Sequence, residues 1–296
     1  MKIHPKISVV IPSYNPKNLI FRCLDALMNQ TVHFPYEVIV VDSSPKDISS
    51  KISEQFQSVR IVHLKERTLP GKARSIGGAQ TKGDIVFFTD ADCIVDPDWI
   101  EKMLGQHQNG YDIVGGSVKN GTPHHIIGLA EYLLEFVIVN PWLKSGPSQL
   151  IPTCSISINR KVFEEIGFFP NYLKAEDTIF CERAIAVGKR MYFESEAKIT
   201  HMNRTRFIDF IKNQIALGEG ANEARKRVNR PGRFLFRYPI VVPLVPLYRS
   251  LKIGYVWLTC NRKMLILYLF IFPIIALGLI AHLWGFVRGC RHSSFL

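Results

Sequence analysis

The chain has little that would staple it. Its six cysteines (Cys23, Cys93, Cys154, Cys181, Cys260 and Cys290) form no C-x-x-C pair and follow no framework spacing. That excludes a disulfide scaffold and leaves the expectation of reduced, mostly buried thiols on the cytoplasmic side of a membrane. None of the six sits in an activating context, so no covalent thiol chemistry is expected. Met1–Lys6 is polar and runs straight into a strand, so no secretory signal is expected there. A glycine-rich phosphate loop is missing after the first strand, which weighs against nucleotidyl transfer. Acidic residues are scarce beside basic ones, 25 Asp+Glu against 37 Lys+Arg, and the net charge of +12 points to a phosphate-rich or anionic partner. Asp, Glu, Lys and Arg are absent from Met264 to Val287, a stretch long enough to cross a bilayer.

What is present is organised around residues 84–98. Ile85-Val-Phe-Phe88 has the β-branched and aromatic bias of a buried strand, and it ends in Thr89 followed by Asp90 and Asp92. A buried parallel strand delivers its C-terminal end to the crevice where α/β folds bind ligands. Two carboxylates there suit a hard divalent cation, Mg²⁺ or Mn²⁺, able to hold a diphosphate. The competing reading makes both aspartates caps of the next helix.

The flanking chain reads as alternating strands and helices. Ile7–Ile11 is a first strand, Leu19–Asn29 a helix, Tyr36–Val41 a second strand, 47–57 a helix and Val59–Leu64 a third strand. This order calls for a parallel sheet with right-handed crossovers. Asp42, closing the second strand, can accept hydrogen bonds from a nucleoside, or it serves turn chemistry before Ser43-Ser44-Pro45. Pro70–Ala79 opens a further helix whose Lys72 and Arg74 can reach a diphosphate; the plainer alternative is a solvated basic turn.

Val9-Val-Ile-Pro12-Ser-Tyr14-Asn15, Val38–Asp42, Gly71–Gly77 and Thr89-Asp-Ala-Asp92, in this order, resemble the family 2 glycosyltransferases. The resemblance covers roughly residues 7–205. It implies an inverting enzyme of α/β class with the GT-A (Rossmann-like) fold, a mostly parallel sheet with helices on both faces. It further implies that Asp42 meets the base of a nucleotide-sugar, with Pro12, Tyr14, Asn15 and Lys72 on the donor side. Arg74 would position the nucleotide, and Asp90 and Asp92 would hold the diphosphate, Asp92 through the metal. Thr153–Arg160, Val162–Phe169 and Ala175–Arg183 look like the family's acceptor half, whose Glu-Asp pair, here Glu176 and Asp177, carries the general base. Ala175 stands where many members have Gly. His201, after a strand, would complete the metal shell or touch phosphate. Gln214 resembles the start of the Q-x-x-R-W motif of processive synthases, but Ile-Ala-Leu-Gly follows, which points to addition of one sugar per acceptor.

Chemistry asks for these groups. An acceptor hydroxyl attacking the anomeric carbon needs one carboxylate as base, and the departing diphosphate needs fixed positive charge. Asp177 is the expected base, at the N-terminus of a helix reaching about Val187. The competing role for the Glu-Asp pair is to favour the helix dipole.

Further along, Asp96-Pro-Asp-Trp99 opens a helix with Asp96 as N-cap, and Ile113–Val118 is a strand. Residues 126–147 are apolar and cover either the acceptor side or lipid. Arg225, Lys226, Arg227, Arg230, Arg233 and Arg237 form a basic run, and Pro239–Leu247 reads as an interfacial or re-entrant segment. The expected organisation is therefore a catalytic domain over 1–225 (a donor half to 100 and an acceptor half beyond it), a basic interfacial segment over 226–263, and a transmembrane helix over 264–287. The positive-inside rule puts the catalytic domain on the cytoplasmic face of the cell's inner membrane, while Arg288 and Arg291 leave the side of the C-terminus open. The expected partners are a nucleotide-sugar, a hydroxyl acceptor for which the anchor motivates a lipid-linked form, and a membrane, without nucleic acid. The rivals are a nucleotidyltransferase and a basic, membrane-associated nucleotide- or nucleic-acid-binding protein without catalysis.

Overall fold

A computed structural model describes residues 6–172, 174–228 and 232–291. Met1–Pro5 and Arg230 of the basic run lie outside the described residues. In chain order the elements are β1 (Ile7–Ser13), α1 (Leu19–Met28), β2 (Glu37–Asp42), α2 (Ser49–Gln55), β3 (Val59–His63), α3 (Pro70–Gln80), β4 (Ile85–Thr89) and β5 (Cys93–Val95). There follow α4 (Trp99–Gln108), β6 (Ile113–Asn120), α5 (Ile126–Glu135), β7 (Gly146–Pro147), β8 (Ser155–Asn159), α6 (Arg160–Ile166), α7 (Glu176–Ala186) and β9 (Met191–His201). The C-terminal part is helical: α8 (Phe207–Arg227), α9 (Phe234–Arg237), a 3₁₀ segment Pro239–Leu244, α10 (Val245–Cys260), α11 (Arg262–Phe270) and α12 (Phe272–Arg291).

Two compact units result, Met1–Lys119 with Lys144–Tyr172 and Glu176–His201, and Asn120–Leu143 with Leu173–Ala175 and Met202–Leu296. They cut across the halves expected from sequence, since 120–143 and 202–225 cluster with the C-terminal helices.

The first unit is built on one sheet, in the order β3-β2-β1-β4-β8-β6-β9-β5, with β7 on β9. Strands β1 to β4 pair in parallel, as β1–β2, β1–β4 and β2–β3. The expectation of a mostly parallel sheet is corrected beyond β4, where β4–β8, β6–β8, β5–β9 and β7–β9 are antiparallel. The burial patterns give the reason. β2 and β4 are apolar and buried almost throughout, as parallel strands covered on both faces must be. β9 alternates buried and part-exposed residues along its whole length, the habit of an antiparallel strand with one wetter face. One core joins both halves of the sheet: Val10, Ile39 and Phe88 pack with Ile156, Phe163 and Phe180.

Three local readings change. Asp96 is not the cap of α4: both its carboxylate oxygens accept from Lys119 Nζ, at 2.6 and 2.8 Å, and the helix starts at Trp99. α8, which the sequence pattern predicts over Phe207–Leu217, runs on to Arg227, so Arg225, Lys226 and Arg227 form its last turn, where cations suit the helix dipole. The helix expected over 264–287 is two helices, broken at Ile271. Pro273 explains the break: it has no N–H to offer Leu269, and its ring would collide with that carbonyl. Within the described residues one helix, over Phe272–Cys290, is long and apolar enough to cross a membrane.

Candidate active site

The C-terminal ends of the parallel strands collect the donor-side residues. β1 and β2 pair so that Pro12 lies beside Val41 and Ser13 beside Asp42. Asp42 is wholly buried, and its Oδ1 accepts from the Ser13 and Ser44 hydroxyls, each at 2.8 Å. Its Oδ2 accepts from the Ser44 N–H at 3.2 Å and lies 3.2 Å from His63 Nδ1. The Asn15 N–H donates to Ser44 Oγ at 2.7 Å, so the turns after β1 and β2 are stitched together. Asn15 has φ 48°, a left-handed conformation that Asn tolerates well. Tyr14 is half exposed, with the Arg67 guanidinium 4.6 Å above its ring. Ser13, Ser44, His63 and Arg67 were not singled out by sequence; strand register was the signal for Ser13, since it closes β1 as Asp42 closes β2.

Helix α3 brings Arg74 inward and leaves Lys72 exposed in its first turn. Arg74 is buried between two carboxylates. Its Nη1 donates to Glu176 Oε1 at 2.9 Å and its Nη2 to Asp90 Oδ1. Burial alone would lower the Arg74 pKa, but Asp90 and Glu176 together outweigh it and raise it. Gly71 makes this bridge possible, because a Cβ there would stand 2.6 Å from the Pro170 carbonyl oxygen and 3.0 Å from Glu176 Cβ. The close approach of the first turn of α3 to that of α7 therefore needs glycine.

One residue beyond Asp90's neighbour Ala91, Asp92 faces a different set. β5 and β9 pair Cys93 with His201 in register. The donor atoms of Asp92, Cys93 and His201 lie within 4.8 Å of one another, and His201 Nε2 is 3.7 Å from Asp92 Oδ1. Cys93 is buried, and burial, with Asp92 and Cys154 adding to it, pushes its thiol pKa well up. A protonated thiol is a poor partner for a hard cation, so the carboxylate and the imidazole are the useful donors. This pair suits Mn²⁺ and, through the carboxylate, Mg²⁺. Cys93 went unnoticed in the sequence because β5 has only three residues and no periodic signal.

Glu176 and Asp177 are separated by their surroundings. Glu176 is buried and ion-paired to Arg74. Asp177 is half-buried, and its Oδ1 accepts from the Thr178 N–H at 2.6 Å. Ala175, just before them, has φ 74°. A left-handed residue is least strained as glycine, which is the physical sense of a Gly at this position.

Residues 8–167 match the sequence model of glycosyl transferase family 2. Glycosyltransferase AglE of Haloferax volcanii is 30% identical over 227 residues, 73% of this chain and 73% of that protein. The poly(ribitol-phosphate) beta-glucosyltransferase of Bacillus spizizenii is 30% identical over 198 residues, 63% of this chain but 30% of that protein. Among solved structures, the mannosyltransferase PcManGT from Pyrobaculum calidifontis in complex with GDP-Man and Mn²⁺ superposes with a TM-score of 0.66 at 18% identity, over 99% of this chain and 89% of that one. The chain belongs to glycosyl transferase family 2. It is a glycosyltransferase on a GT-A-like mixed α/β fold, and both rival readings, nucleotidyl transfer and a binding protein without catalysis, give way.

Proposed function

We propose that the protein transfers one sugar from a nucleoside-diphosphate sugar to a hydroxyl acceptor by a single inverting displacement with Asp177 as the general base. The observation that carries this reading is the unequal treatment of neighbouring carboxylates. Asp90 and Glu176 share the buried Arg74 guanidinium, whereas Asp92 and Asp177 are partly exposed and free of guanidinium partners among the described residues. Asp177 is thus the member of its pair fit to take a proton from an attacking hydroxyl. Glu176 fixes Arg74, and Arg74 fixes Asp90.

On the donor side, the base of the nucleotide reaches Asp42 by exchanging with a serine hydroxyl, between the turns that carry Pro12, Tyr14 and Asn15. Lys72 and Arg74, on the first turns of α3, supply fixed positive charge near the diphosphate. Asp92 and His201, with Asp90 alongside, would hold Mg²⁺ or Mn²⁺. A cation bound there offsets the charge that grows on the departing diphosphate. The fold neighbour solved with GDP-Man and Mn²⁺ supports this assignment.

We read residues 1–225 as the catalytic chain, with donor groups before residue 100 and the acceptor groups after it. The C-terminal helices attach it to the cytoplasmic face of the cell membrane through 226–263 and the apolar residues that follow, which motivates a lipid-linked acceptor. The test is a screen of nucleotide-sugars for metal-dependent release of nucleoside diphosphate, with membrane lipid extract as acceptor. Release that needs no divalent cation from any donor would remove the metal from the mechanism, and no release from any donor would remove the reaction.

A further inference from the structure

The apolar helix α12 is long enough to cross a bilayer, but its packing within the second unit speaks against crossing. It lies alongside α8 over most of its length. A Cβ on Gly218 would stand 2.0 Å from the His282 carbonyl oxygen, and one on Gly285 would stand 2.0 Å from that of Ile215. Gly278 meets Phe210 and Leu134, and Gly289 meets Asn222. Glycines on both helices thus bring the two backbones into contact. Arg288 of α12 also pairs with Glu219 of α8, Nε to Oε1 at 3.3 Å.

Helix α8 is not a lipid-phase helix. It carries Asp209, Lys212, Glu219 and Glu223 besides its basic last turn. Its Asn213 and Gln214 donate to Glu135 of α5, at 2.6 and 2.8 Å, and Asn213 also reaches the buried Glu131. If α12 crossed the hydrocarbon core, this polar seam would be drawn in with it, and ionisable groups at membrane depth are costly.

The outer faces of α10 and α12 are apolar and exposed. On α12 the exposed side chains include Phe272, Leu277, Ile280 and Trp284, and on α10 Leu247, Leu251, Tyr255 and Leu258. The α10 series and the α12 series from Leu277 to Trp284 advance by three or four residues, so each is one stripe of a helix; Phe272, five residues before Leu277, lies off the stripe and packs on Tyr268. The opposite face of α10 is anchored in the protein: Trp257 is fully buried and its Nε1 donates to the Leu133 carbonyl oxygen at 3.2 Å. Charge completes the pattern. Residues 224–296 contain twelve basic residues and no Asp or Glu, so the whole net charge of +12 resides there. Lys252, Arg262 and Lys263 are exposed on the helices that carry or adjoin the stripes.

We propose that the second unit seats in a single leaflet of an anionic membrane, with α10 and α12 lying along the surface and their bare stripes among the acyl chains near the headgroups. This rests on the membrane attachment proposed above and changes its geometry, since nothing crosses and the C-terminus stays on the catalytic side. Lipid, not a second copy, is the occupant, because two copies would bring two uncompensated cationic surfaces together.

Depth measurement by spin labelling decides the matter. In the full chain with Cys260→Ser and Cys290→Ser, single nitroxides are placed by Leu251→Cys, Tyr255→Cys, Leu277→Cys, Ile280→Cys and Trp284→Cys. Each is read for oxygen against a water-soluble relaxation agent on phosphatidylglycerol–phosphatidylethanolamine vesicles. All five should report the same shallow depth, within a few ångströms. Depth that climbs to the bilayer centre along α12 would overturn the in-plane arrangement and leave membrane attachment standing. Labels that stay water-accessible beside vesicles, or that become shielded without vesicles by a second copy, would overturn the arrangement and the attachment together.

Discussion

Asp90 and Asp92 are two residues apart and end in opposite electrostatic situations. Asp90 belongs to a closed set in which one buried guanidinium serves two carboxylates. Asp92 faces a buried thiol and an imidazole, with no lysine or arginine partner among the described residues. The first set holds a fixed cation of its own. The second has no lysine or arginine among the described residues, and a divalent ion is what would supply positive charge there. On the reading proposed above, the D-x-D triplet divides its work: Asp90 is tied to Arg74, and Asp92 addresses the substrate through a metal. The Glu176-Asp177 pair repeats the division with the order intact, a buried structural carboxylate followed by a more open one.

The largest effect should come from the open side. Asp92→Asn keeps the size and removes the charge, so transfer should be lost while the fold, read by circular dichroism and thermal melting, is retained. Chelation of divalent ions should reproduce that loss in the wild type and add nothing in the variant. Normal turnover of Asp92→Asn with Mg²⁺ or Mn²⁺ would break the comparison.

Asp177→Asn comes next. Loss of a general base lowers the rate by roughly 10²–10⁴-fold, and nucleoside diphosphate affinity, titrated by calorimetry, should stay at the wild-type value. A variant that instead loses the nucleotide would move Asp177 to the donor side.

The closed side should respond in stability before activity. Glu176→Gln leaves Arg74 with one charged partner, and weakening a buried hydrogen bond to a charged group costs about 1–3 kcal/mol. The denaturant midpoint should fall by the corresponding amount, with a smaller rate loss than Asp177→Asn gives. Equal rate losses in the two variants would mean that the pair shares the proton transfer.

The smallest effect concerns the joint that presents the pair. Ala175 has φ 74°, and a left-handed conformation costs an L-residue roughly 1–2 kcal/mol. Ala175→Gly should therefore raise the unfolding free energy, less the extra entropy glycine gives the unfolded chain, for a net gain of about 1 kcal/mol or less. A destabilised variant would show that the strain is absorbed elsewhere.

Much of this was legible in the chain. Runs such as Val38–Val41 and Ile85–Phe88 announce buried parallel strands because every side chain in them meets protein. Polar residues closing those runs announce a site, since the ends of parallel strands open onto a crevice. The family motifs placed Asp42, Arg74, Asp90, Asp92 and Glu176-Asp177 in their order. What pattern could not supply is which carboxylate faces which partner. Arg74 and Glu176 are 102 residues apart, and β5 meets β9 through three residues on each side. Such pairings depend on strand register and on how closely helices approach at Gly71, which neighbouring residues do not encode.

The C-terminal region shows the same limit from the other direction. Composition by itself determined that residues 264–287 are apolar and that a basic run precedes them. Only the tertiary structure decided that Pro273 breaks the segment and that α12 leans along a charged helix through Gly218 and Gly285. Hydropathy sums what each residue prefers as a solvent. Whether a helix meets lipid on all sides or on one is fixed by the neighbours it packs against, and those come from distant parts of the chain.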